Sequence, residues 1–298
     1  MNKNSLVLIA IVAILGIAAY LVLQRPGESS VSEETGQKLA SYDSLAVDKI
    51  EIKAGSNYVV MEKQAGKWMI VQPISYPADQ TAITTAIGKG ATVLLTSLIS
   101  SNPEKQGVFQ VDSSAGTLVR IFEKGSEKAA FRIGKPGSTF TETYVREENS
   151  NDVYLANEML TYTFNKQVKD WRDKTIFSAM SESIQSVSFQ YGDTAFVLTR
   201  QDTTWKIDEA VAAATTMTSF LGSLSNFLSD DFVDSSLASP PQLIATIVVD
   251  GVQIRFHHEN EAASYFVQTS RSPQWFSVQQ WRVNQVLKRK RDFVGIAS

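Results

Sequence analysis

Residues 49–68 read KIEIKAGSNYVVMEKQAGKW, and residues 186–205 read SVSFQYGDTAFVLTRQDTTW. The two align without a gap at an offset of 137, which sets Gly55 on Gly192, Val60 on Val197, Gln64 on Gln201 and Trp68 on Trp205. Apolar positions follow the same offset: Ile50 with Val187, Ile52 with Phe189, Met61 with Leu198. Apolar and polar residues alternate in both, which is the period of a strand with one buried face. Gly55-Ser56-Asn57 and Gly192-Asp193-Thr194 interrupt the alternation and predict turns between paired strands. Self-similarity on this scale marks an internal duplication.

Working outward from each Trp, the pattern changes from two to about 3.6. In the first copy Asp79, directly after Pro77-Ala78, is a helix N-cap, and Ile83, Ile87, Leu94 and Leu98 recur on one side. Gly88 and Gly90 each weaken that helix by about 1 kcal/mol relative to Ala and predict a kink in its middle. In the second copy Met217, Phe220, Leu221, Leu224 and Phe227 form the stripe, with Thr215 or Thr216 as cap. Strands then return. TLVRIFEKGSEKAAFRIG (117–134) and QLIATIVVDGVQIRFHH (242–258) predict hairpins around Gly125 and Gly251, and residues 141–156 and 263–278 are again extended. Each copy closes on an Arg-Asp pair, Arg172-Asp173 and Arg291-Asp292. The fold class expected is α+β: two duplicated units, 46–177 and 183–294, each an antiparallel sheet with a covering helix.

The N-terminus has a different character. Residues 6–23, LVLIAIVAILGIAAYLVL, carry no charge. As a helix they extend roughly 27 Å, close to the ~30 Å of a bilayer core. The expectation is a transmembrane anchor over 1–25 and a flexible tether over 26–45, rich in Ser, Glu and Gly. The body would then be extracytoplasmic, on a single-pass protein of the inner membrane facing the periplasm. Lys3 and Arg25 flank the segment one on each side, so basic residues do not set its orientation. A cleaved signal peptide, with Gly16 and Ala18 before the cut, is the alternative.

Composition excludes several classes. The 298 residues are 43% hydrophobic with a net charge of −3, ordinary for a globular body and without the field of a nucleic-acid binder. There is no cysteine, hence no disulfide, thiolate metal site or Cys nucleophile.

GKWMIVQPISYPAD (66–79), FRIGKPG (131–137), TYVREENSNDVYLANEML (143–160) and WRDKTIF (171–177) occur in the order seen in the bacterial "domain of unknown function 4340" family, which the chain resembles over nearly its whole body. The resemblance implies a membrane-anchored or exported protein, often encoded beside a gliding-motility-type ABC transporter, and no established activity. It implies ABC-transporter or envelope subunits as partners. The second copy departs from the pattern: it lacks the two prolines and the Gly-Lys-Pro loop.

The candidate residues weigh as follows. Trp68 and Trp205 are large rings at a repeated position, the signature of core. Pro73 and Pro77 fix φ and remove backbone donors where strand becomes helix. Tyr76 between them has no counterpart and is assigned with Pro77 to partner contact. Gly134-Lys135-Pro136-Gly137 fails the four-residue spacing of a phosphate loop, as does Gly88-Lys89-Gly90; Lys135 is kept as a partner contact only. His257 and His258 are adjacent on a strand and face opposite ways, which excludes joint chelation. The first copy has no His and no G-x-S-x-G occurs. Glu147-Glu148 and Asp230-Asp231 are paired acids that read as solvated loops. Arg172-Asp173 and Arg291-Asp292 read as structural ion pairs clamping the end of each copy. Lys288 to Arg291 reads as the basic end of a helix starting near Val278. No catalytic, cofactor-binding or metal-ligating residue is assigned.

The function expected is a membrane-tethered, non-enzymatic interaction or accessory protein, held to the membrane by residues 6–23 and not binding nucleic acid. The alternative is a glycan- or peptide-binding domain with Tyr76, Trp275 and Trp281 as aromatic contacts. A carboxylate-dependent hydrolase is the third reading.

Overall fold

The computed structural model describes residues 36–235, 241–258 and 263–294. Strands dominate because turn chemistry closes hairpin after hairpin. Lys124-Gly125 and Asp250-Gly251 have φ of 52°, 78°, 45° and 87°. That is the doubly left-handed geometry which matches strand twist, and it favours Gly at the second position.

The first sheet is built from β1 (Lys49–Ala54), β2 (Asn57–Gln64), β3 (Lys67–Gln72), β4 (Tyr76–Pro77), β5 (Leu95–Ser100), β6 (Thr117–Glu123), β7 (Ser126–Pro136), β8 (Thr143–Glu147) and β9 (Val153–Ala156). Its order is β4-β3-β2-β1-β6-β7-β8-β9-β5. The second is built from β11 (Ser186–Tyr191), β12 (Ala195–Gln201), β13 (Thr204–Ile207), β14 (Ala210–Val211), β16 (Asp231–Val233), β17 (Gln242–Val249), β18 (Val252–His258), β19 (Ser264–Thr269) and β20 (Ser272–Gln279). Its order, β14-β13-β12-β11-β17-β18-β19-β20-β16, repeats the first position for position. The central registers agree as well: Ile50 lies opposite Ile121, and Val187 opposite Val249. A third, two-stranded sheet pairs β10 (Thr175–Ser178) with β15 (Asn226–Leu228). The helices are α1 (Gln80–Thr92), α2 (Leu160–Phe164), α3 (Ala214–Leu224), α4 (Gln280–Val286) and α5 (Lys290–Phe293), with short 3-10 turns between strands.

The expected α+β class, with a covering helix on each sheet after a transmembrane helix, is therefore corrected. Of the described residues 47% lie in strands against 22% in helices, distributed over three sheets. Geometry explains it. A helix of 13 residues is about 20 Å long, whereas nine strands spread roughly 38 Å. Residues assigned to helix also turn out extended: α1 ends at Thr92, and Leu98 lies on β5 with 55% of its surface exposed. The helix runs unbroken through Gly88 and Gly90. The inner-membrane, single-pass placement is corrected too. Among the described residues no helix is long and apolar enough to cross a membrane. The expected anchor over 1–25, with its span 6–23, lies outside the described residues.

Contacts divide the described residues into two compact units, 36–56 with 86–165, and 57–85 with those from 166 on. In the first unit Ile50, Ile52, Val119, Ile121, Phe131, Val145 and Phe164 are buried. The tether expected over 26–45 is corrected where the structure describes it. Leu39 is buried and donates its N–H to Val93 O at 3.1 Å, while Leu95 N–H reaches Gln37 O at 2.8 Å. Tyr42 donates to Ile87 O at 2.8 Å, and its hydroxyl lies where a Cβ on Gly90 would be. Any larger residue at Gly90 would have to displace the tip of Tyr42 from this position.

The acids Glu147-Glu148, read as a solvated loop, flank a buried network in this unit. Arg132 holds Glu148 through Nε at 2.5 Å and Nη2 at 2.8 Å. Arg146 donates to the carbonyls of Val111, Glu148 and Ser150 at 3.1, 2.8 and 2.6 Å. Burial lowers the Arg146 pKa, and Glu148 opposes that shift.

In the second unit the core is aromatic. Phe189 stacks on Phe196 with centroids 4.6 Å apart, and Phe220 meets Phe293 edge-on at 5.2 Å. The basic run ends no long helix: α4 stops at Val286, Arg289 pairs with Asp193 at 3.0 Å, and Lys290 pairs with Asp208.

Candidate functional site

In β3 burial alternates, so Trp68 and Ile70 point inward and Lys67 and Met69 outward. After β3 the chain turns through Pro73, passes β4 and enters α1. Asp79 caps that helix, its Oδ1 accepting from the N–H groups of Thr81 and Ala82, both at 2.9 Å. Gln80, though exposed, folds its carboxamide back onto the strand. Its Oε1 accepts from Trp68 N–H at 2.8 Å, and its Nε2 donates to Trp68 O at 2.9 Å and Ala78 O at 2.7 Å. One side chain thus meets backbone groups that the next strand would otherwise satisfy.

The edge of β4 is extended by residues 171–173. Asp79 N–H donates to Trp171 O at 2.8 Å and Asp173 N–H to Pro77 O at 2.9 Å. This course aims Arg172 inward, where it is 2% exposed. Its Nη1 reaches both Asp234 oxygens at 2.7 and 2.8 Å, and its Nη2 reaches Gln274 Oε1 at 2.8 Å. The guanidinium lies 3.7 Å from the Phe232 ring centroid and 4.3 Å from that of Tyr76. Burial raises the Tyr76 pKa, and the charge of Arg172 opposes it.

Beside this cluster is a cleft of about 1060 Å³ within the second unit, lined among others by Trp68, Tyr76, Asp173, Ile176, Arg271 and Gln274. Thr175, Ile176 and Ser178 of β10 form part of its wall. β10 belongs to a sheet of two strands, so among the described residues no further strand pairs with its other edge, although the side chains of Asp173 and Arg271 meet its Thr175 N–H and Ser178 O. Arg271 reaches across to Ser178 O at 3.3 Å.

The structure brings together some of the residues singled out by sequence and separates others. Trp68, Tyr76, Pro77 and Asp173 line the cleft. Lys135 lies in the other unit, its ammonium 6.0 and 5.9 Å from the rings of Phe109 and Tyr144. Trp275 packs edge-on against His257 at 4.9 Å. Trp281 is 52% exposed on α4 and donates to Gln279 Oε1 at 2.6 Å. Neither Trp lines this cleft. The expected Arg-Asp clamps are corrected: Arg172 binds Asp234, while Asp173 accepts from Thr175 N–H at 2.9 Å. In the second copy Asp292 accepts from Arg289 N–H at 2.7 Å. The structural counterpart of Asp292 is Asp170, since both stand third in a short helical turn with reciprocal capping.

The remaining acids are held by cations. For Asp230, burial pushes the carboxyl up, but Arg282 at 2.9 Å and the N–H of Gln279 at 2.8 Å outweigh it and the pKa falls. Asp231 follows the same pattern with Lys169 at 2.7 Å, whose own pKa rises. His257 Nδ1 lies 2.9 Å from Pro241 O, and His258 is on the opposite face of β18 with its ring 4.3 Å from Tyr265. Among the described residues no three His, Asp or Glu side chains gather as a metal site.

A family model described as Domain of unknown function (DUF4340) matches residues 68–245. The chain belongs to this family. In this DUF4340 protein the match begins at Trp68 itself and takes in Tyr76, Gln80, Arg172 and β10, but stops short of Arg271 and Gln274. No curated protein and no solved structure matches the chain. Gln80, Phe232, Asp234, Arg271 and Gln274 are among the site residues that sequence reading missed. Only the helix-opening position of Gln80, next to the Asp79 cap, offered a local signal.

Proposed function

We propose that this DUF4340 chain is a binding protein whose cleft holds an extended segment of a protein partner. The observation that carries the reading is the edge of β10 on the cleft wall, against which no further strand pairs among the described residues. Free strand edges recruit extended peptides, with backbone hydrogen bonds for affinity and side-chain pockets for selection. Tyr76 offers apolar contact, and Arg271, Gln274 and Asp173 offer polar contact along the same wall. Transporter or envelope subunits, the partners implied by the family resemblance, have the polypeptide chemistry this requires. Binding is favoured over acid–base catalysis because Glu148, Asp230 and Asp231 are each neutralised by Arg or Lys.

Peptide is preferred to glycan on a specific ground. Stacking a sugar needs an open aromatic face, yet Trp68 is 4% exposed and Trp275 and Trp281 lie elsewhere. The test is a peptide display selection run beside an oligosaccharide panel, with the native chain and its Tyr76→Ala and Arg271→Ala variants. Peptides enriched by the native chain and lost with both variants are expected. Enrichment that survives both variants, or binding of oligosaccharides alone, would overturn the reading.

A further inference from the structure

The second copy has a cleft of its own. About 450 Å³ opens beside Trp205, with Arg200, Ala212, Ala214, Met217 and Leu221 among its walls. Its position in the repeat can be fixed bond by bond. Met69 lies opposite Pro77 in the first copy, and Lys206 opposite Val211 in the second. Ala78 N–H donates to Trp68 O at 3.1 Å, and Ala212 N–H to Trp205 O at 2.8 Å. Asp79 N–H donates to Trp171 O, and Ala213 N–H to Phe293 O, each at 2.8 Å. Ala212, Ala213 and Ala214 therefore stand where Ala78, Asp79 and Gln80 stand.

Two side-chain functions of the first copy are absent at those positions. Ala213 gives α3 no side-chain cap. The methyl group of Ala214 cannot do what the Gln80 carboxamide does for Trp68. The direction of the Trp205 amide follows from its neighbours. Arg200, opposite Trp205 in the β12–β13 ladder, gives its own N–H to Gln185 O at 2.9 Å on the far side. The Arg200–Trp205 pair is thus a non-hydrogen-bonded one, and the N–H and C=O of Trp205 point away from β12. They point to the side from which Ala212 approaches, where the cleft lies. In the first copy the equivalent Trp68 N–H is met by Gln80 Oε1 at 2.8 Å, whereas the methyl group of Ala214 offers no acceptor, and the Trp205 amide faces the cleft, where an incoming acceptor can meet it.

We infer that the Trp205 cleft is a carboxamide socket, and that its occupant is a glutamine side chain presented by a partner polypeptide. The amide oxygen accepts from Trp205 N–H, and the amide NH₂ donates to the carbonyls of Trp205 and Ala212, as Gln80 does in the first copy. The methylenes lie against Met217 and Leu221. This site is separate from the larger cleft and does not depend on it.

The test uses the ¹⁵N-labelled full chain and follows the backbone amide of Trp205 by NMR. The probe is N-acetyl-Ala-Gln-Ala N-methylamide, with the Glu and norleucine peptides as controls. A saturable downfield shift of the Trp205 amide with the Gln peptide alone is expected. The Trp68 amide, already bonded to Gln80, should stay in place. Ala214→Gln should supply the missing group from within: Tm rises by about 2–4 °C, the Trp205 amide moves downfield without peptide, and the peptide response is lost. A Trp205 amide unmoved by millimolar Gln peptide would overturn the inference. So would equal shifts with all three peptides, whether or not the variant folds.

Discussion

At the scale of single residues, burial decides which half of an ion pair matters. Arg172 is almost wholly enclosed, whereas the side chain of Asp234 is 64% exposed. Removing the carboxylate strands a buried guanidinium, which typically costs 3–5 kcal/mol; removing the Arg leaves an acid that water can solvate. Asp234→Ala is therefore expected to destabilise by about 3 kcal/mol and Arg172→Met by about 1–2 kcal/mol, measured by urea denaturation. Equal costs, or the reverse order, would show that the pair is not the anchor. Asp230 gives a pH signature. Its folded pKa lies below the ordinary 3.8 despite burial, because Arg282 stabilises the charged form. The stabilisation is thus fully present above 3.8 and is lost as pH falls through the folded pKa. Asp230→Asn should lower the denaturation midpoint at pH 7, and the difference from the native chain should shrink towards zero as acidification passes the folded pKa, which lies below the ordinary 3.8. Arg172 and Tyr76 were legible as unusual residues, but their partners were not. Asp234 and Gln274 lie 62 and 102 residues away from Arg172, and no local pattern encodes such a pairing.

At the scale of elements, what was legible was what is decided locally. The hairpins around Gly125 and Gly251 were readable because two residues of left-handed backbone set the turn. The start of α1 was readable from Asp79. Short edge strands were not: in β5 Leu95 is buried and the next four residues are exposed, with no alternation to read, and Leu94 and Leu98 sit at a spacing that mimics a helix. Phe227 was misplaced in the same way, falling on β15 rather than on α3. The two helix starts make a paired prediction. Asp79→Ala removes a cap bonded to two N–H groups and should cost about 1 kcal/mol. Ala213→Asp adds the missing cap to α3 and should recover about 0.5–1 kcal/mol. Thermal denaturation monitored by circular dichroism reads both, and changes of the same sign would contradict the equivalence of the two positions.

At the scale of the whole molecule, the duplication was legible because a constant offset survives in strands whose side chains alternate. Which segments share a compact unit was not legible. Residues 57–85 lie in the first sequence copy, yet they group with the chain from 166 onward. The contacts that bind them are specific: Trp171 and Asp173 to the edge of β4, Arg172 to Tyr76, and Tyr76 to Phe232 at 5.6 Å. Each joins residues about 90 or more positions apart or depends on one that does, so periodicity could not reveal it. Hydrogen exchange tests the grouping, because segments of one cooperative unit open together. In the full chain, residues 57–85 should share the opening free energy of 186–207 rather than that of 117–147. A fragment limited to 46–177 retains every residue of the first sequence copy but loses Phe232, Asp234 and Gln274. Protection over 67–80 should then fall by roughly 10–100-fold, equivalent to about 1.4–2.7 kcal/mol. If the fragment protects that stretch as the full chain does, the first copy suffices for it, and the partition between units is not the one the contacts describe.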